Sequence, residues 1–159
     1  MAATLTLATS AWAAGHDAHQ AASASLPVSN TVTASDCWIR QMPAPAPSGG
    51  FLLFHNKGAQ DVALTGVHAA DYGHAMMHQT TEENGLSKMS MVHQVSLPAG
   101  ADLAFKPGSY HLMLEQPRDG LAVGDHIPLV FTLADGSQVN AQCEIRSPKA
   151  MPGMDQHKH

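Results

Sequence analysis

Apolar and polar residues alternate along most of this chain in short runs, and each run ends at a proline, a glycine or another turn residue. Such alternation is typical of a strand with one buried face, and no segment combines an apolar 3.6-residue period with helix caps. The predicted strands cover residues 31–40, 50–56, 61–70, 74–80, 86–97, 101–106, 109–116, 127–136 and 137–146. Eight or nine short strands at this regular spacing predict an all-β protein, an antiparallel β-sandwich.

The last predicted strand shows which side chains face inward. Its apolar residues are Val139, Ala141, Cys143 and Ile145, and its polar residues are Gln138, Asn140, Gln142 and Glu144. Because successive side chains of a strand point to opposite faces, the apolar set is expected to line the core, and Cys143 with it. In the first strand Ser35, Cys37 and Ile39 share one face, with Trp38 on the other. The alternation therefore assigns a face to each of the two cysteines.

Cys37 and Cys143 are compatible with a disulfide that ties the first strand to the last. Closing so long a loop would contribute about 4 to 5 kcal/mol in the chain-entropy model. Two buried free thiols are the alternative, since a sequence does not show whether the Cβ atoms meet. Export would place the protein where a disulfide persists.

Changes in composition divide the chain into four segments. Residues 1–14 are apolar and end in Ala-Trp-Ala at residues 11–13, which resembles the end of a secretory signal peptide whose basic first part is missing. Residues 15–30 are small, polar and aperiodic, as in a disordered linker. Residues 31–147 form the predicted domain, and residues 148–159 a flexible tail rich in Met and His. No later stretch approaches the roughly 20 apolar residues of a membrane span, so we expect a soluble, exported periplasmic protein.

Charged residues make up only 13 % of the 159 residues, and the formal net charge is −5. This balance offers no basic surface for nucleic acid or for an anionic membrane. The chain has 11 His and 9 Met but only 8 Lys and Arg together. Imidazole and thioether groups together bind soft metal ions, so the composition favours a copper protein.

Four of these residues stand at a spacing that suggests one metal site. They are His78, Met89 after ten intervening residues, and His111 with Met113 after twenty-one more. Period-two alternation sends His111 and Met113 to the same face of one strand. A thioether is neither an acid nor a base, whereas together with imidazole it suits Cu(I). We therefore predict a Cu(I) site and no catalytic residue.

Further His and Met residues share strand faces with these ligands. This accessory set is His74, Met76, Met91 and His93. A core stripe would use Leu, Val and Ile, so soft side chains on alternate residues of three strands favour metal binding. The accessory residues are interpreted as spare ligands, a docking rim or ordinary strand residues.

The tail carries a second group of soft donors, Met151, Met154, His157 and His159. Its Pro- and Gly-containing sequence cannot build a core. We expect this tail to hold a second copper, as Cu(II) through His157 and His159, or to help pass Cu(I) between proteins. The alternative is a solvated terminus that binds metal only weakly.

Three other functional classes lack their motifs. An electron-transfer cupredoxin needs a Cys thiolate with two His and a weak axial Met, yet no His lies between Cys143 and Met151. A thiol oxidoreductase would show Cys-x-x-Cys, and a hydrolase would show Gly-x-Ser-x-Gly or His-Glu-x-x-His. None of these motifs is present, so a binding protein is predicted and not an enzyme.

With these residues in view, the domain resembles the PCu(A)C family of bacterial periplasmic copper chaperones. The family pattern of His, ten residues, Met, twenty-one residues and His-x-Met is reproduced by His78, Met89, His111 and Met113. The segments DCWIR, FLLFHNKG, LPAG, KPGSYHLML and LAVGDHIPL also resemble segments of the family. The resemblance covers roughly residues 32–146.

The resemblance implies a cupredoxin-like antiparallel Greek-key β-sandwich that binds Cu(I) through the four ligands. It further implies delivery of copper to the copper-centre subunit of a cytochrome c oxidase, beside a Sco-type thiol protein. Cys37, Ser109 and Cys143 depart from the family pattern, so a disulfide would be a trait of a subgroup. A periplasmic copper sequestration or resistance protein is the alternative, since it would use the same ligands.

Overall fold

Residues 25–150 are described by a computed structural model, and they form ten β-strands. The strands are β1 (Val32–Arg40), β2 (Ser48–Asn56), β3 (Val62–Ala69), β4 (Tyr72–Glu83), β5 (Leu86–Met91), β6 (Val95–Leu97), β7 (Asp102–Phe105), β8 (Tyr110–Pro117), β9 (His126–Leu133) and β10 (Gln138–Arg146). The predicted run 86–97 breaks at residues 92–94 into β5 and β6, which adds a strand. The predicted signal peptide, most of the linker and the four tail donors lie outside the described residues.

The strands form one sheet in the order β5-β4-β8-β2-β1-β10-β9-β3-β6, and β7 pairs with β2. Every pair of these strands is antiparallel except β1 and β10, which run parallel. The all-β prediction is therefore confirmed, and the antiparallel arrangement has this one exception. β5 lies at one end of the sheet, beside β4 and then β8. Within residues 25–150, no helix is long and apolar enough to cross a membrane.

The inner face of the sheet packs around three phenylalanines. Phe54 on β2 contacts Phe105 on β7 and Phe131 on β9, with ring centroids 5.3 and 4.9 Å apart in edge-to-face geometry. Such pairs contribute about 0.5–1.5 kcal/mol each beyond their burial. The buried residues of β10 are Val139, Ala141, Cys143 and Ile145. The inward set that alternation predicts for the last strand is therefore confirmed.

Cys37 and Cys143 form a disulfide between the parallel strands β1 and β10. Their Cα atoms are 4.4 Å apart although the residues are 106 positions apart in sequence. Among the residues that the structure describes no cysteine is free. The first strand of the domain is thus covalently joined to the last.

A β-bulge in β1 contradicts one part of the predicted facing. Ser35 pairs with Leu53 and Trp38 with Phe51, so the register shifts by one residue between the two pairs. Asp36 lies in this shift with a φ of 53°, in the left-handed region. Ser35 therefore shares a face with Trp38, and the prediction that it faces the core with the cysteine is wrong. Period-two alternation cannot detect an inserted residue.

A tight hairpin sets the register of β4 against β5. Asn84 and Gly85 form its two-residue turn, with φ angles of 53° and 76°. Positive φ at both positions defines a type I′ turn, for which Asn-Gly is the preferred sequence. Glu83 and Leu86 pair directly across the turn. Because the loop length fixes the register, each residue of β5 has a defined partner on β4.

Candidate metal centre

Two histidines from strands that are distant in sequence meet on the outer face of the sheet. His78 of β4 pairs directly with His111 of β8, and their ring centroids are 5.9 Å apart. Their neighbours Met77 and Leu112 point the other way, into the core. A ligating nitrogen lies about 2 Å from its metal, so two rings that bind one ion have centres at most about 6 Å apart. The observed separation is one at which both rings can bind the same ion.

The two predicted thioether ligands lie on this same outer face. Met113 follows His111 by two residues on β8, so their side chains point the same way. Met89 of β5 pairs with Thr80, which lies two residues from His78 on β4. Met89 is therefore a diagonal neighbour of His78, at a separation that a long side chain can span. Three adjacent strands thus bring the four predicted ligands onto one face.

A cleft of about 450 Å³ opens beside the histidines. Met89, His111 and Met113 line it, whereas His78 lies next to His111 and not at the cleft wall. Gly49 of β2 pairs with Met113 and also lines the cleft, and a Cβ at this position would lie 3.1 Å from the Phe51 ring. Met89 is 52 % exposed and His111 only 9 %. The ligand set therefore has one end in solvent and the other enclosed.

His78 carries the buried polar atoms that most need a partner. Both its ring nitrogens are buried, and within the described part of the chain neither has a hydrogen-bond partner. A buried polar atom is nearly always hydrogen-bonded, so a pair of orphaned nitrogens calls for another ligand. Burial lowers the pKa of His78, the neighbouring His111 lowers that pKa further, and Glu115 opposes the shift. The imidazole is thus kept in the neutral form, the form that binds a metal ion.

His111 is oriented by a backbone contact. Its Nδ1–H donates a hydrogen bond to the carbonyl oxygen of Ser109 at 3.0 Å. A carbonyl can only accept, so the proton is on Nδ1 and the lone pair on Nε2. Metal-binding histidines are commonly fixed in this way through the nitrogen that does not bind the metal. Nε2 of His111 is therefore the nitrogen available to an ion.

The accessory residues lie around the same set. Met91 pairs directly with His78, Met76 with Met113, and His74 with Glu115. His93 follows β5 by two residues and is exposed. The strand register thus places His74, Met76 and Met91 on the outer face beside the four predicted ligands, whereas His93 lies in the break between β5 and β6.

Two residues of the cleft were not found by the sequence analysis. Met42, after β1, and Arg40, at the end of β1, both line it. The Arg40 guanidinium lies 5.6 Å from the centre of the Phe51 ring, a cation–π arrangement. Neither residue belongs to a spaced motif, because only the fold brings the β1–β2 connection beside β8. No local signal could have identified them.

Within residues 25–150, no group of three or more His, Cys, Asp or Glu side chains is arranged to hold a metal ion. A site for a hard cation or for zinc would use such a group, whereas the set described above combines imidazoles with thioethers. The chemistry of the donors therefore fits a soft ion. The tail donors Met151, Met154, His157 and His159 lie outside the described residues.

Comparison with known sequences gives a family and two relatives. A family model described as "Putative lipoprotein LpqE-like" matches residues 32–145. The chain is 34 % identical over 92 residues to the uncharacterized protein RP573 of Rickettsia prowazekii, covering 57 % of this chain and 51 % of that protein. It is 28 % identical over 143 residues to the putative lipoprotein Lxx21020 of Leifsonia xyli subsp. xyli, covering 86 % of this chain and 79 % of that protein. The match thus spans about half the length of the Rickettsia relative.

Solved structures with a similar fold are PCuAC domains. The apo PCuAC domain of PmoF2 has a TM-score of 0.63 at 18 % identity, covering 79 % of this chain and 97 % of that domain. The copper-bound PCuAC domain from PmoF2 has a TM-score of 0.61 at 17 % identity, covering 74 % of this chain and 94 % of that domain. The solution structure of CuI-DR1885 from Deinococcus radiodurans has a TM-score of 0.58 at 24 % identity, covering 81 % of this chain and 85 % of that protein. The fold that the family resemblance implies is therefore confirmed.

Proposed function

The chain belongs to the LpqE-like family of putative lipoproteins, and from that premise and the geometry of the outer face we propose that it is an exported Cu(I) chaperone. The observation that carries the proposal is His78, whose two buried ring nitrogens have no hydrogen-bond partner among residues 25–150. The ligands are His78, Met89, His111 and Met113, and the copper-binding domain is residues 31–147. The protein carries a metal and catalyses no reaction.

The choice of copper is supported by donor chemistry and by similar folds. Two neutral imidazoles and two thioethers form a soft set without formal charge, which suits Cu(I) better than a hard divalent cation. Two of the similar structures are of copper-loaded proteins, the copper-bound PCuAC domain from PmoF2 and CuI-DR1885. Copper is the cargo in this proposal, and it leaves by ligand exchange.

The ligands differ in their exposure to solvent, and this difference determines which ligand an incoming donor replaces first. His78 and His111 form the enclosed part of the set, since the nitrogens of one are buried and the other is 9 % exposed. Met89 lies on β5, at the end of the sheet, and is half exposed. A donor from an acceptor protein would therefore displace Met89 first. Thioether ligands need no proton when they leave, so this step does not depend on pH.

The acceptor in this proposal is the copper-centre subunit of a cytochrome c oxidase, with a Sco-type thiol protein as a further partner and the periplasm as the compartment. A sequestration or resistance protein would use the same ligands and would not release copper to such an acceptor. Transfer of Cu(I) to the apo copper domain of an oxidase separates the two functions. A loaded protein that never metallates this domain contradicts the chaperone assignment and leaves sequestration.

The site itself is tested by Cu(I) competition against a chelator. His111→Ala and Met113→Ala should each weaken binding at least tenfold, because each removes one donor of the set. Unchanged affinity in both variants would contradict the four-ligand proposal. Met42→Ala is the matched control, since Met42 lines the same cleft but is not part of the proposed set.

The tail is proposed as a second, weaker copper site formed by Met151, Met154, His157 and His159. Replacing all four residues in the full chain should leave the affinity of the core site unchanged and lower the copper content at saturation. An unchanged copper content would contradict a role for the tail. The predicted signal peptide, residues 1–14, supports export within the same proposal.

A further inference from the structure

A second group of soft donors lies on the outer face beside the proposed core site. Met91 pairs with His78 on the side of β4 away from His111, and Met76 pairs with Met113. The Val92 N–H donates to the carbonyl oxygen of Met77 at 2.9 Å, so the β5 chain still runs beside β4 after the strand ends. Two thioethers are thus adjacent on β4 and β5, outside the four-ligand set.

The register brings these thioethers within reach of a single ion. Met91 is opposite His78, and Met76 is two residues from His78 on the same face, so the two methionines are diagonal neighbours. Diagonal Cβ atoms on adjacent strands are about 7–8 Å apart, and a methionine side chain has three rotatable bonds with which to close that gap. His93 lies in the break between β5 and β6, one residue past the Val92–Met77 hydrogen bond that keeps the chain beside β4.

Packing does not account for Met91 and His93, whereas Met76 is partly buried. Met91 is 50 % exposed and His93 is exposed, and among residues 25–150 no further strand pairs with the outer edge of β5. Met77, the residue next to Met76, is 3 % exposed and belongs to the core. One strand thus carries a packing methionine on its inner face and another methionine on its outer face, beside exposed soft donors.

We propose that Met76, Met91 and His93 form a second Cu(I) site on the outer face, weaker than the core site and adjacent to it. Because it lies at the exposed edge of the sheet, this site would bind incoming copper first and pass it to His78, which is opposite Met91 on β4. The identity of the metal rests on the proposed function. The existence of the site rests on the register of β4 and β5.

The test follows the methionine methyl signals by NMR during anaerobic titration with Cu(I), using the full chain with its four tail donors replaced. Single Met→Leu variants assign the signals. The first equivalent of Cu(I) is expected to shift the signals of Met89 and Met113, and the second those of Met76 and Met91. The Met77 signal is the internal control and should not move, because this side chain packs in the core.

Two variants separate this site from the core site. Met76→Leu with Met91→Leu should lower the bound Cu(I) from two equivalents to one, whereas Met77→Leu should leave two. His111→Ala with Met113→Leu should abolish the first step and keep the shifts of Met76 and Met91. If those two signals stay in place at two equivalents while the core signals move, the second site does not exist and the proposed function stands. If no signal moves, both proposals fail.

Discussion

Replacing His78 with leucine is expected to stabilise the metal-free protein and, at the same time, to remove its tight binding of Cu(I). Both ring nitrogens of this histidine are buried without a hydrogen-bond partner. A buried donor or acceptor that is left unsatisfied costs about 1–3 kcal/mol. Leucine fills a similar volume and has no polar atom. We therefore expect the free energy of unfolding of the metal-free protein to rise by about 1–3 kcal/mol.

His111→Leu is the matched control, because His111 is also a proposed ligand but is not orphaned. Its Nδ1–H donates to the Ser109 carbonyl at 3.0 Å. Leucine removes this hydrogen bond, so the free energy of unfolding should fall by about 1 kcal/mol. The two variants both weaken Cu(I) binding and should nevertheless change the stability of the metal-free protein in opposite directions.

The assay is urea and thermal unfolding of metal-free protein in the presence of a chelator. For a domain of this size, 1 kcal/mol corresponds to a change in Tm of about 3–6 °C. Saturating Cu(I) should reverse the order of wild type and His78→Leu, since a ligand stabilises only the folded form that binds it. A metal-free His78→Leu protein that is less stable than wild type would refute the reasoning, as would equal shifts in both variants.

Three further predictions concern pH, the disulfide and strand packing. Burial lowers the pKa of His78, so protonation of this residue should weaken Cu(I) binding only at a lower pH than for an exposed histidine; a His78 contribution that is lost at the pH typical of an exposed histidine, measured by chelator competition on wild type and His78→Leu, would contradict this. Replacing Cys37 and Cys143 by alanine opens a 106-residue loop and should lower the free energy of unfolding by about 4–5 kcal/mol, and a loss below about 1 kcal/mol in urea would argue against it. A Cβ at Gly50 would lie 3.0 Å from the Leu112 side chain, so Gly50→Ala should lower the free energy of unfolding by about 1–3 kcal/mol in the same assay. An unchanged free energy of unfolding would contradict this, because it would mean that Leu112 moves aside at no energetic cost.

Local sequence rules account for much of the site. Period-two alternation places His111 beside Met113, and the Asn84-Gly85 turn fixes which residue of β4 meets Met89. These are relations between residues on one strand or across one tight turn, where geometry follows from spacing alone. They could therefore be predicted before the fold was known.

Other parts of the site depend on contacts that no local rule contains. His78 meets His111 because β4 pairs with β8, although β5, β6 and β7 lie between them in sequence. Met42 reaches the cleft for a similar reason, through the position of the β1–β2 connection. The soft chemistry of the four donors and the family resemblance suggested that the two histidines act together, but no strand rule showed that β4 lies beside β8. The bulge at Asp36 was missed because an extra residue leaves no trace in an alternating pattern.

The central claim is that His78, Met89, His111 and Met113 bind one Cu(I). X-ray absorption at the copper edge tests it most directly, on protein that is loaded with less than one equivalent of Cu(I). The account predicts two nitrogen and two sulfur neighbours, with one sulfur lost in Met89→Leu and one in Met113→Leu. Met42→Leu, which changes another methionine of the same cleft, should lose none. An unchanged sulfur count in both ligand variants would contradict the account.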